Sequence, residues 1–270
     1  MGTKQLAWDP AKYVEFGDFR NRPFFDLTAR ITADAPRHVV DLGCGPGNLT
    51  ATLARRWPGA SVQGLDSSPE MVAAAQGGGT GHDAGNRRPA NLAFALGDIG
   101  QWAPGPGTDV VVSNAALQWV PGHQGLISGW LGALASGAWL GVQVPGNFNS
   151  PSHALMREVA GSVRWRKQLD GVLRHADTVG EPGEYHELLL RGGARADVWE
   201  TTYSQLLPGD HPVLDWVRGT GLRPVLQALG HAEGEAFEAE YSALLDQAYP
   251  AAEFGTIFPF RRIFVVGQKR

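Results

Sequence analysis

The first 145 residues alternate between short, β-branched apolar runs and longer stretches that carry apolar residues at helical spacing. This alternation is typical of a parallel sheet with helices on both faces. The apolar runs predict five strands, at residues 37–42, 61–66, 92–98, 108–114 and 138–144. The stretches between them predict helices at residues 48–57, 69–76 and 123–135. We therefore expect an α/β fold with a doubly wound sheet.

The pattern changes after residue 145. Residues 152–168 and 211–249 have helical periodicity, whereas residues 196–206 and 262–268 alternate as strands do. We expect these two strands to complete a seven-stranded sheet and the helical stretches to form a lid over its carboxyl edge. The predicted organisation is an N-terminal helical segment (1–30) covering the active site, a ligand-binding core (31–146), and a lid with the last two strands (147–270).

The N-terminal segment has helix signals of its own. Asp9 followed by Pro10 predicts an N-cap and a first helical residue. Pro23 disfavours helical geometry at Arg22, so Arg20 and Arg22 are expected to straddle a helix break and turn toward one pocket. Three residues lie on one face at helical spacing: Tyr13, Phe16 and Arg20.

Composition limits the class of protein. With 43% hydrophobic and 19% charged residues over 270 positions, the chain is typical of a globular protein. A single cysteine, Cys44, excludes an internal disulfide and a multi-cysteine metal site, and it fits a reducing compartment. The net charge of -4 gives no overall attraction to nucleic acid. We expect a cytoplasmic protein that acts on a small molecule, with no metal, nucleic acid, membrane or obligate protein partner.

The strongest local signal is a glycine-rich turn after the first strand. Residues 39–48 read Val-Val-Asp-Leu-Gly-Cys-Gly-Pro-Gly-Asn. Glycines allow the backbone to approach a ligand closely. Asn48 stands where a dinucleotide fingerprint requires its third glycine, so binding of a pyrophosphate is disfavoured. An ordinary tight turn between strand and helix is the structural alternative.

Polar residues at the ends of the next three strands point to a nucleoside ligand. Asp66 is placed to accept two ribose hydroxyls, and Asp98 the exocyclic amine of an adenine that packs on Ile99. Asn114 is expected to offer its backbone carbonyl to the cofactor's amino group. For Asp98, a simple helix cap is an equal alternative. The predicted cofactor-binding set is Asp41, Gly43, Gly45, Gly47, Asp66, Ser67, Asp98, Ile99 and Asn114.

Further motifs run along nearly the whole chain, at residues 8–16, 20–23, 114–119, 151–160, 199–203, 215–224 and 260–264. Examples are Arg-Asn-Arg-Pro at 20–23, Asn-Ala-Ala-Leu-Gln-Trp at 114–119 and Gly-Leu-Arg-Pro at 221–224. With the glycine-rich turn, they resemble class I S-adenosylmethionine-dependent methyltransferases, and more narrowly the trans-aconitate 2-methyltransferase family. The resemblance implies a Rossmann-like fold and transfer of a methyl group from S-adenosylmethionine to one carboxylate of trans-aconitate, leaving S-adenosylhomocysteine. The Gly-rich loop at 77–90 looks longer than the family usually has.

Carboxylate methylation has modest chemical needs. An ionised carboxylate needs no general base, so the protein must mainly hold the reacting atoms in line. A polycarboxylate calls for arginines, because the guanidinium fork binds both oxygens of a carboxylate. Arg22 and Arg223, each beside a proline in a family motif, are the expected positioning residues, although any one arginine is a surface residue in the alternative interpretation. The predicted acid-binding set is Tyr13, Arg20, Arg22, His153, Arg223 and Arg262.

Other interpretations stay open at this point. His153 is as consistent with a capping or packing histidine. Four aromatic residues are candidates for a wall that excludes water, and at least two of them are expected to be plain core: Trp8, Phe16, Trp119 and Trp216. A different acceptor, or a protein that binds the cofactor without catalysis, are the rival functions.

Overall fold

A computed structural model describes residues 17–77, 88–173 and 178–270, with side chains from residue 21 onward in the first range. The expectations for residues 8–16, for the Arg20 side chain and for most of the 77–90 loop lie outside these ranges. The strands are β1 (His38–Leu42), β2 (Ser61–Asp66), β3 (Leu92–Leu96), β4 (Thr108–Asn114), β5 (Trp139–Pro145), β6 (Ala194–Leu207) and β7 (Thr256–Lys269). The helices are α1 (Gly17–Thr28), α2 (Thr50–Arg56), α3 (Pro69–Gln76), α4 (His123–Ala133), α5 (Pro151–Ala160), α6 (Arg166–Leu169), α7 (Pro182–Arg191), α8 (Pro212–Arg218) and α9 (Arg223–Ala248).

The strands form one seven-stranded sheet in the order β3-β2-β1-β4-β5-β7-β6. Strands β1 to β5 pair in parallel. Backbone hydrogen bonds join residues 137 and 138 to residue 269, and residue 146 to residue 261, so β7 runs antiparallel to β5. The sequence therefore predicted the seven strands and the doubly wound α/β class correctly. Because β1 to β5 are parallel, their carboxyl ends share one edge of the sheet.

The apolar runs became strands because both faces of the sheet are covered. Four of the five residues of β1 and six of the seven of β5 are buried. A parallel strand buried on both faces has a nearly continuous apolar sequence, and such a run can be recognised in the sequence. The predicted bounds of β1 to β5 therefore lie within two residues of the observed ones.

The predicted helix break before Pro23 is wrong. Helix α1 runs through Pro23 without interruption. A proline inside a helix costs about 3 kcal/mol, whereas burial of a large apolar side chain contributes roughly 1.5–3 kcal/mol. Phe24 and Leu27 are 1% and 0% exposed, so their burial offsets the lost backbone hydrogen bond. Arg22 is helical and its Nε lies 3.8 Å from Oδ2 of Asp26.

The helices beyond residue 145 are more divided than predicted. The 152–168 stretch is broken after α5 at Gly161, whose N–H bonds the Arg157 carbonyl. The 211–249 stretch is broken between α8 and α9, and α9 itself has a non-helical residue at Gly230, with φ 73°. Helix α7 was not predicted at all. Its signal is a capping box between Glu181 and Glu184, with proline at the first helical turn.

The chain divides into two compact units. Of the described residues, the first takes in 17–77, 88–144, 180–200 and 263–270, and the second takes in 145–173, 178–179 and 201–262. Within residues 17–77, 88–173 and 178–270, no helix has the length and apolar content needed to cross a membrane. The same part of the chain holds no group of three His, Cys, Asp or Glu side chains arranged to bind a metal ion.

Candidate functional site

The glycine-rich turn between β1 and α2 needs its glycines for three distinct reasons. All three have positive φ, at 78°, 55° and 80° for Gly43, Gly45 and Gly47. A Cβ on Gly43 would lie 2.3 Å from the Cβ of Ala116, and one on Gly47 would lie 2.4 Å from the Phe94 ring. A Cβ on Gly45 would meet nothing within 4 Å. Gly43 and Gly47 are thus required for packing, whereas Gly45 leaves open space beside the backbone.

Asp66, at the end of β2, ties the turn to the second strand. Its Oδ2 accepts the N–H of Gly45 at 2.8 Å and its Oδ1 accepts the N–H of Ser68 at 2.9 Å. Burial raises the pKa of Asp66, and the backbone hydrogen bonds from Ser68, Gly45 and Ser67 oppose that shift. Each carboxylate oxygen can accept more than one hydrogen bond, so both retain acceptor capacity.

Asp41 lies under the turn and has a structural contact. It is 3% exposed, and its Oδ2 accepts the Thr50 hydroxyl at 2.6 Å. Burial raises the pKa of Asp41 to about 7, against the lowering effect of the Thr50 hydrogen bond. Cys44 is buried in the same turn, and burial raises the pKa of its thiol.

For Asp98 the sequence left a choice between a helix cap and a contact with adenine, and the structure shows the cap. It is the N-cap of a 3₁₀ turn, Ile99–Gln101, and its Oδ1 accepts the N–H of Gly100 at 2.8 Å. Asp98 and Ile99 also line the cavity described next. The capping role is therefore observed, and it leaves the residue facing ligand space.

A cavity of about 320 Å³ lies at the carboxyl ends of β1 to β4, entirely within the first unit. Small-molecule sites occupy this edge of open α/β sheets, and the volume lies at the lower end of their usual range. Its lining includes Gly43, Gly45, Asp66, Ser67, Asp98, Ile99, Ala115, Ala116 and Trp119. The cavity thus brings together most of the predicted cofactor-binding residues. Asp41 and Gly47 are not among its lining residues, and they contact Thr50 and Phe94 instead.

The end of β4 differs from the prediction in detail. Among the described lining residues are Ala115 and Ala116, but not Asn114. Ala115 has a φ of 54°, which is uncommon for a residue with a Cβ and turns the chain at the cavity wall. On the neighbouring strand, the fully buried Gln143 has no hydrogen-bond partner for either amide atom within the described chain. Sequence reasoning missed Gln143, although it is the one polar residue of an otherwise apolar strand.

The rim of the cavity is held by a buried histidine and tyrosine. The His123 ring contacts the Val120 carbonyl at 3.3 Å and the Tyr185 hydroxyl at 2.7 Å. Burial lowers the pKa of His123 and raises that of Tyr185 to about 12, so both stay neutral near pH 7. This network joins the rim residue Val120 to helix α7.

The candidate acid-binding residues of the second unit lie on α5, α9 and β7. The His153 Nδ1 is 3.2 Å from the Ser152 Oγ, and a Cβ on Gly221 would lie 3.3 Å from its Nε2. Arg223 is the first residue of α9. Arg262 is 6% exposed and its guanidinium lies 4.3 Å from the Phe260 ring centroid. Their contacts with an acid stay predictions, as do those of Arg22 in the first unit.

Of the four aromatic wall candidates, the structure describes two. Trp119 lines the cavity. Trp216 is 1% exposed and packs against Phe258 and Phe260 at centroid distances of 5.9 and 5.6 Å. Trp216 is therefore a core residue of the second unit.

The sheet order, the glycine-rich turn and the cavity at the carboxyl edge are those of a Rossmann-like fold with a ligand site, and sequence similarity makes the protein a methyltransferase. The model of a family described as a methyltransferase domain matches residues 39–137. A S-adenosylmethionine-dependent methyltransferase from Geobacter sulfurreducens, solved with S-adenosyl-L-homocysteine, has a similar fold. Its TM-score is 0.54 at 17% identity, over 97% of this chain and 99% of that one.

Two relatives are much more similar in sequence. The trans-aconitate 2-methyltransferase of Streptomyces avermitilis is 54% identical over 97% of both chains. That of Rhodococcus jostii is 53% identical over 97% of this chain and 99% of its own length. The chain belongs to the family of the trans-aconitate 2-methyltransferases.

Proposed function

We propose that this protein transfers a methyl group from S-adenosylmethionine to one carboxylate of trans-aconitate, giving the monomethyl ester and S-adenosylhomocysteine. The observation that carries the proposal is the cavity at the sheet edge, with open backbone at Gly45 and carboxylates at Asp66 and Asp98. The relatives named for this activity match nearly the whole chain, which favours the same acid.

The residues that line the cavity fit the nucleoside part of the cofactor. Asp66 keeps acceptor capacity on both oxygens for two ribose hydroxyls, even while it holds Gly45 and Ser68. Asp98 accepts the exocyclic amine of adenine, and Ile99 packs against the ring. Gly45 leaves the space into which the ligand fits. A dinucleotide is a poorer fit, because its pyrophosphate needs a glycine at position 48, where this chain has Asn48.

Bound S-adenosylmethionine supplies a methyl group whose carbon–sulfur bond breaks as the carboxylate oxygen bonds to that carbon, and the electron pair stays on sulfur. No proton moves, so the chain's residues act by binding, alignment and exclusion of water. The acid-binding residues in the proposal are Tyr13, Arg20, Arg22, His153, Arg223 and Arg262. Arginines fix the carboxylates that do not react, because the guanidinium contact has two points and a set direction.

A turnover assay with labelled cofactor and a panel of di- and tricarboxylic acids tests the function. We expect label in an ester of trans-aconitate, with one S-adenosylhomocysteine formed for each ester. The single-turnover rate should be nearly flat between about pH 6 and 8, because the acid is already ionised there. Label transferred only to another acceptor would show that the protein is a methyltransferase for a different substrate. Cofactor binding without transfer to any acceptor would show that the protein binds the cofactor without catalysis.

Replacement of arginine by lysine tests the acid-binding set. Arg22→Lys and Arg223→Lys keep the charge and lose the two-point contact, so turnover of trans-aconitate should fall on the order of a hundredfold. Affinity for the cofactor should barely change. Arg191→Lys is the matched control, since Arg191 is 78% exposed and pairs with Glu187 on the surface of α7. Normal turnover in both test variants would assign Arg22 and Arg223 to the surface.

A further inference from the structure

A short wall of the cavity lies between strand β4 and helix α4. Its residues Trp119, Val120 and Pro121 line the cavity, and none of them belongs to a strand or an α-helix. The chain turns on both sides of this 119–121 wall, with a φ of 54° at Ala115 and of 69° at Gly122. The position of the wall therefore depends on a few individual contacts rather than on a regular hydrogen-bond ladder.

One of these contacts comes from His123, the first residue of α4. Its ring Nδ1 lies 3.3 Å from the carbonyl oxygen of Val120. A carbonyl oxygen only accepts hydrogen bonds, so Nδ1 must carry a proton. Burial lowers the pKa of His123, which keeps the ring neutral near pH 7 and leaves Nε2 as an acceptor. The contact with Val120 thus selects one of the two neutral tautomers.

Tyr185 on α7 selects the same tautomer from the other side of the ring. Its hydroxyl oxygen lies 2.7 Å from Nε2 of His123. The same oxygen accepts the Gly180 N–H at 3.2 Å, and the Gln124 side chain also hydrogen-bonds to it. The hydroxyl proton is therefore directed to Nε2, which must be unprotonated to accept it. Tyr185 and His123 are 0% and 3% exposed, so water is excluded from this contact.

We infer that His123 and Tyr185 are positioning residues for the cofactor, which hold the 119–121 wall in place through the carbonyl of Val120. The inference rests on the proposed function, which assigns this cavity to S-adenosylmethionine. Neither ring is among the described residues that line the cavity, so both act through Val120 and not by touching the ligand. A wall that is already ordered loses little conformational entropy when the ligand binds, and this raises affinity.

Two replacements of His123 separate this role from a purely structural one. An asparagine amide can take the place of Nδ1 and donate to the Val120 carbonyl, but it is too short to reach Tyr185. Leucine fills a similar volume and donates nothing. Both His123→Asn and His123→Leu should lower the unfolding temperature, because each deprives the buried Tyr185 hydroxyl of its acceptor.

The affinity for S-adenosylhomocysteine should distinguish the two variants. Measured by calorimetry, it should fall about fivefold or more in His123→Leu, which loses the hydrogen bond to Val120. His123→Asn should retain most of the affinity, because the conservative amide restores that hydrogen bond. Tyr185→Phe should lose affinity to a smaller extent, because His123 keeps its ring but no longer has a hydroxyl that fixes its tautomer.

Thr28→Val is the matched control. The Thr28 hydroxyl is buried and donates to the Phe24 carbonyl at 2.9 Å within α1, and no described residue of α1 lines the cavity. This variant should also unfold at a lower temperature. Its affinity for S-adenosylhomocysteine should stay within about twofold of the wild-type value, because effects at distant sites are independent.

The tautomer itself can be measured without any loss of stability. Nitrogen NMR of the isotopically labelled wild type, with His123 assigned by comparison with His123→Asn, should show a proton on Nδ1 and none on Nε2. A proton on Nε2 instead would overturn the inference, whether or not the variants fold.

The outcomes separate the inference from the proposed function. If the wild type binds S-adenosylhomocysteine and His123→Leu binds it equally well, the inference is overturned and the proposed function stands. Equal losses of affinity in His123→Asn and His123→Leu would also overturn it, because the hydrogen bond to Val120 would then have no effect. So would a loss of affinity in Thr28→Val that matches its loss of stability. A wild type that does not bind S-adenosylhomocysteine would contradict the proposed function and the inference together.

Discussion

The two halves of the sheet's carboxyl edge differ in how their polar side chains are satisfied. At the β1–β3 half, Asp41, Asp66 and Asp98 all accept hydrogen bonds from the protein itself. At the β4–β5 half, the Oδ1 of Asn114 and the whole amide of Gln143 have no partner among the described residues. The polar side chains of the β1–β3 half are therefore held by hydrogen bonds within the protein, whereas these amides of the β4–β5 half are buried without them.

The two halves also differ in how firmly their polar side chains are held. The carboxylates of Asp66 and Asp98 are fixed by backbone N–H groups two residues further along, at Ser68 and Gly100. Such local hydrogen bonds hold a side chain in place without help from distant parts of the fold. The Oδ1 of Asn114 and the amide of Gln143 have no such hydrogen bond, so only packing holds them in place.

The largest effect should come from the glycine that the β1–β3 half cannot replace. Gly43→Ala combines a strained positive φ with a Cβ 2.3 Å from that of Ala116, and each cost is about 1–3 kcal/mol of unfolding free energy. Gly45→Ala carries the strain alone, because nothing lies within 4 Å of its Cβ. Denaturant unfolding should show a clearly larger loss at Gly43, and calorimetry a larger loss of cofactor affinity relative to stability at Gly45. Equal stability losses would mean that packing under the turn is unimportant.

A smaller effect is expected on binding at the end of β2. Asp66→Ala removes hydrogen bonds of about 1.5–3 kcal/mol each, so affinity for S-adenosylmethionine should fall at least tenfold. Asp109→Ala serves as the control, because Asp109 pairs with Arg37 at the start of β4, away from the carboxyl edge. Cofactor affinity should be unchanged in the control. A folded Asp66→Ala protein with wild-type affinity would remove Asp66 from the site.

The smallest effect, taken per pH unit, is a pH dependence of stability. The pKa of Asp41 is raised to about 7 by burial, so the folded state holds a proton that the unfolded state releases above about pH 4. Stability contributed by this group therefore falls as pH rises from about 4 to 7, by about 1.4 kcal/mol per pH unit, and is constant above that. Asp41→Asn removes this dependence and should gain on the wild type as pH rises.

The pH dependence of stability contributed by Asp109 has the opposite sign to that of Asp41. Its pKa is lowered, chiefly by the hydrogen bond from the Arg37 side chain, so its contribution is present above the unfolded pKa and lost as pH falls. The stability of Asp109→Asn should therefore fall below that of the wild type at pH 7 and approach it at acid pH. Chemical denaturation of both variants at several pH values would measure the two slopes. Parallel slopes would contradict the contrast between a buried carboxylate and a paired one.

The sequence predicted the β1–β3 half well because its signals are local. The Gly-rich turn, Asp66 and Asp98 all stand next to strands that are recognisable as apolar runs, and Asp66 and Asp98 each accept a hydrogen bond from a backbone N–H two residues further along the chain. Gln143 was missed because its meaning depends on long-range packing. Only the sheet register, which places Gln143 beside Asn114, shows that this one polar residue of an apolar strand belongs to a pair of buried amides.

The helical parts show the same limit. Local rules predicted a break at Pro23, and tertiary burial of Phe24 and Leu27 overrode them. Helix α7 carried a local signal at Glu181 and Glu184 that periodicity alone did not reveal. Local propensity is a weak constraint whenever an apolar face can be buried, so errors are expected where helices pack against the rest of the fold.

The position of Cys44 makes the glycine-rich turn observable by chemistry. The chain's one cysteine is buried inside the turn that the cofactor would cover, and burial raises the pKa of its thiol. Only the thiolate reacts quickly with alkylating reagents, and a buried thiol reacts only during local opening. The alkylation rate of the unmodified protein therefore reports how often this turn opens, and slower alkylation with added ligand would show the turn closing, without an introduced label.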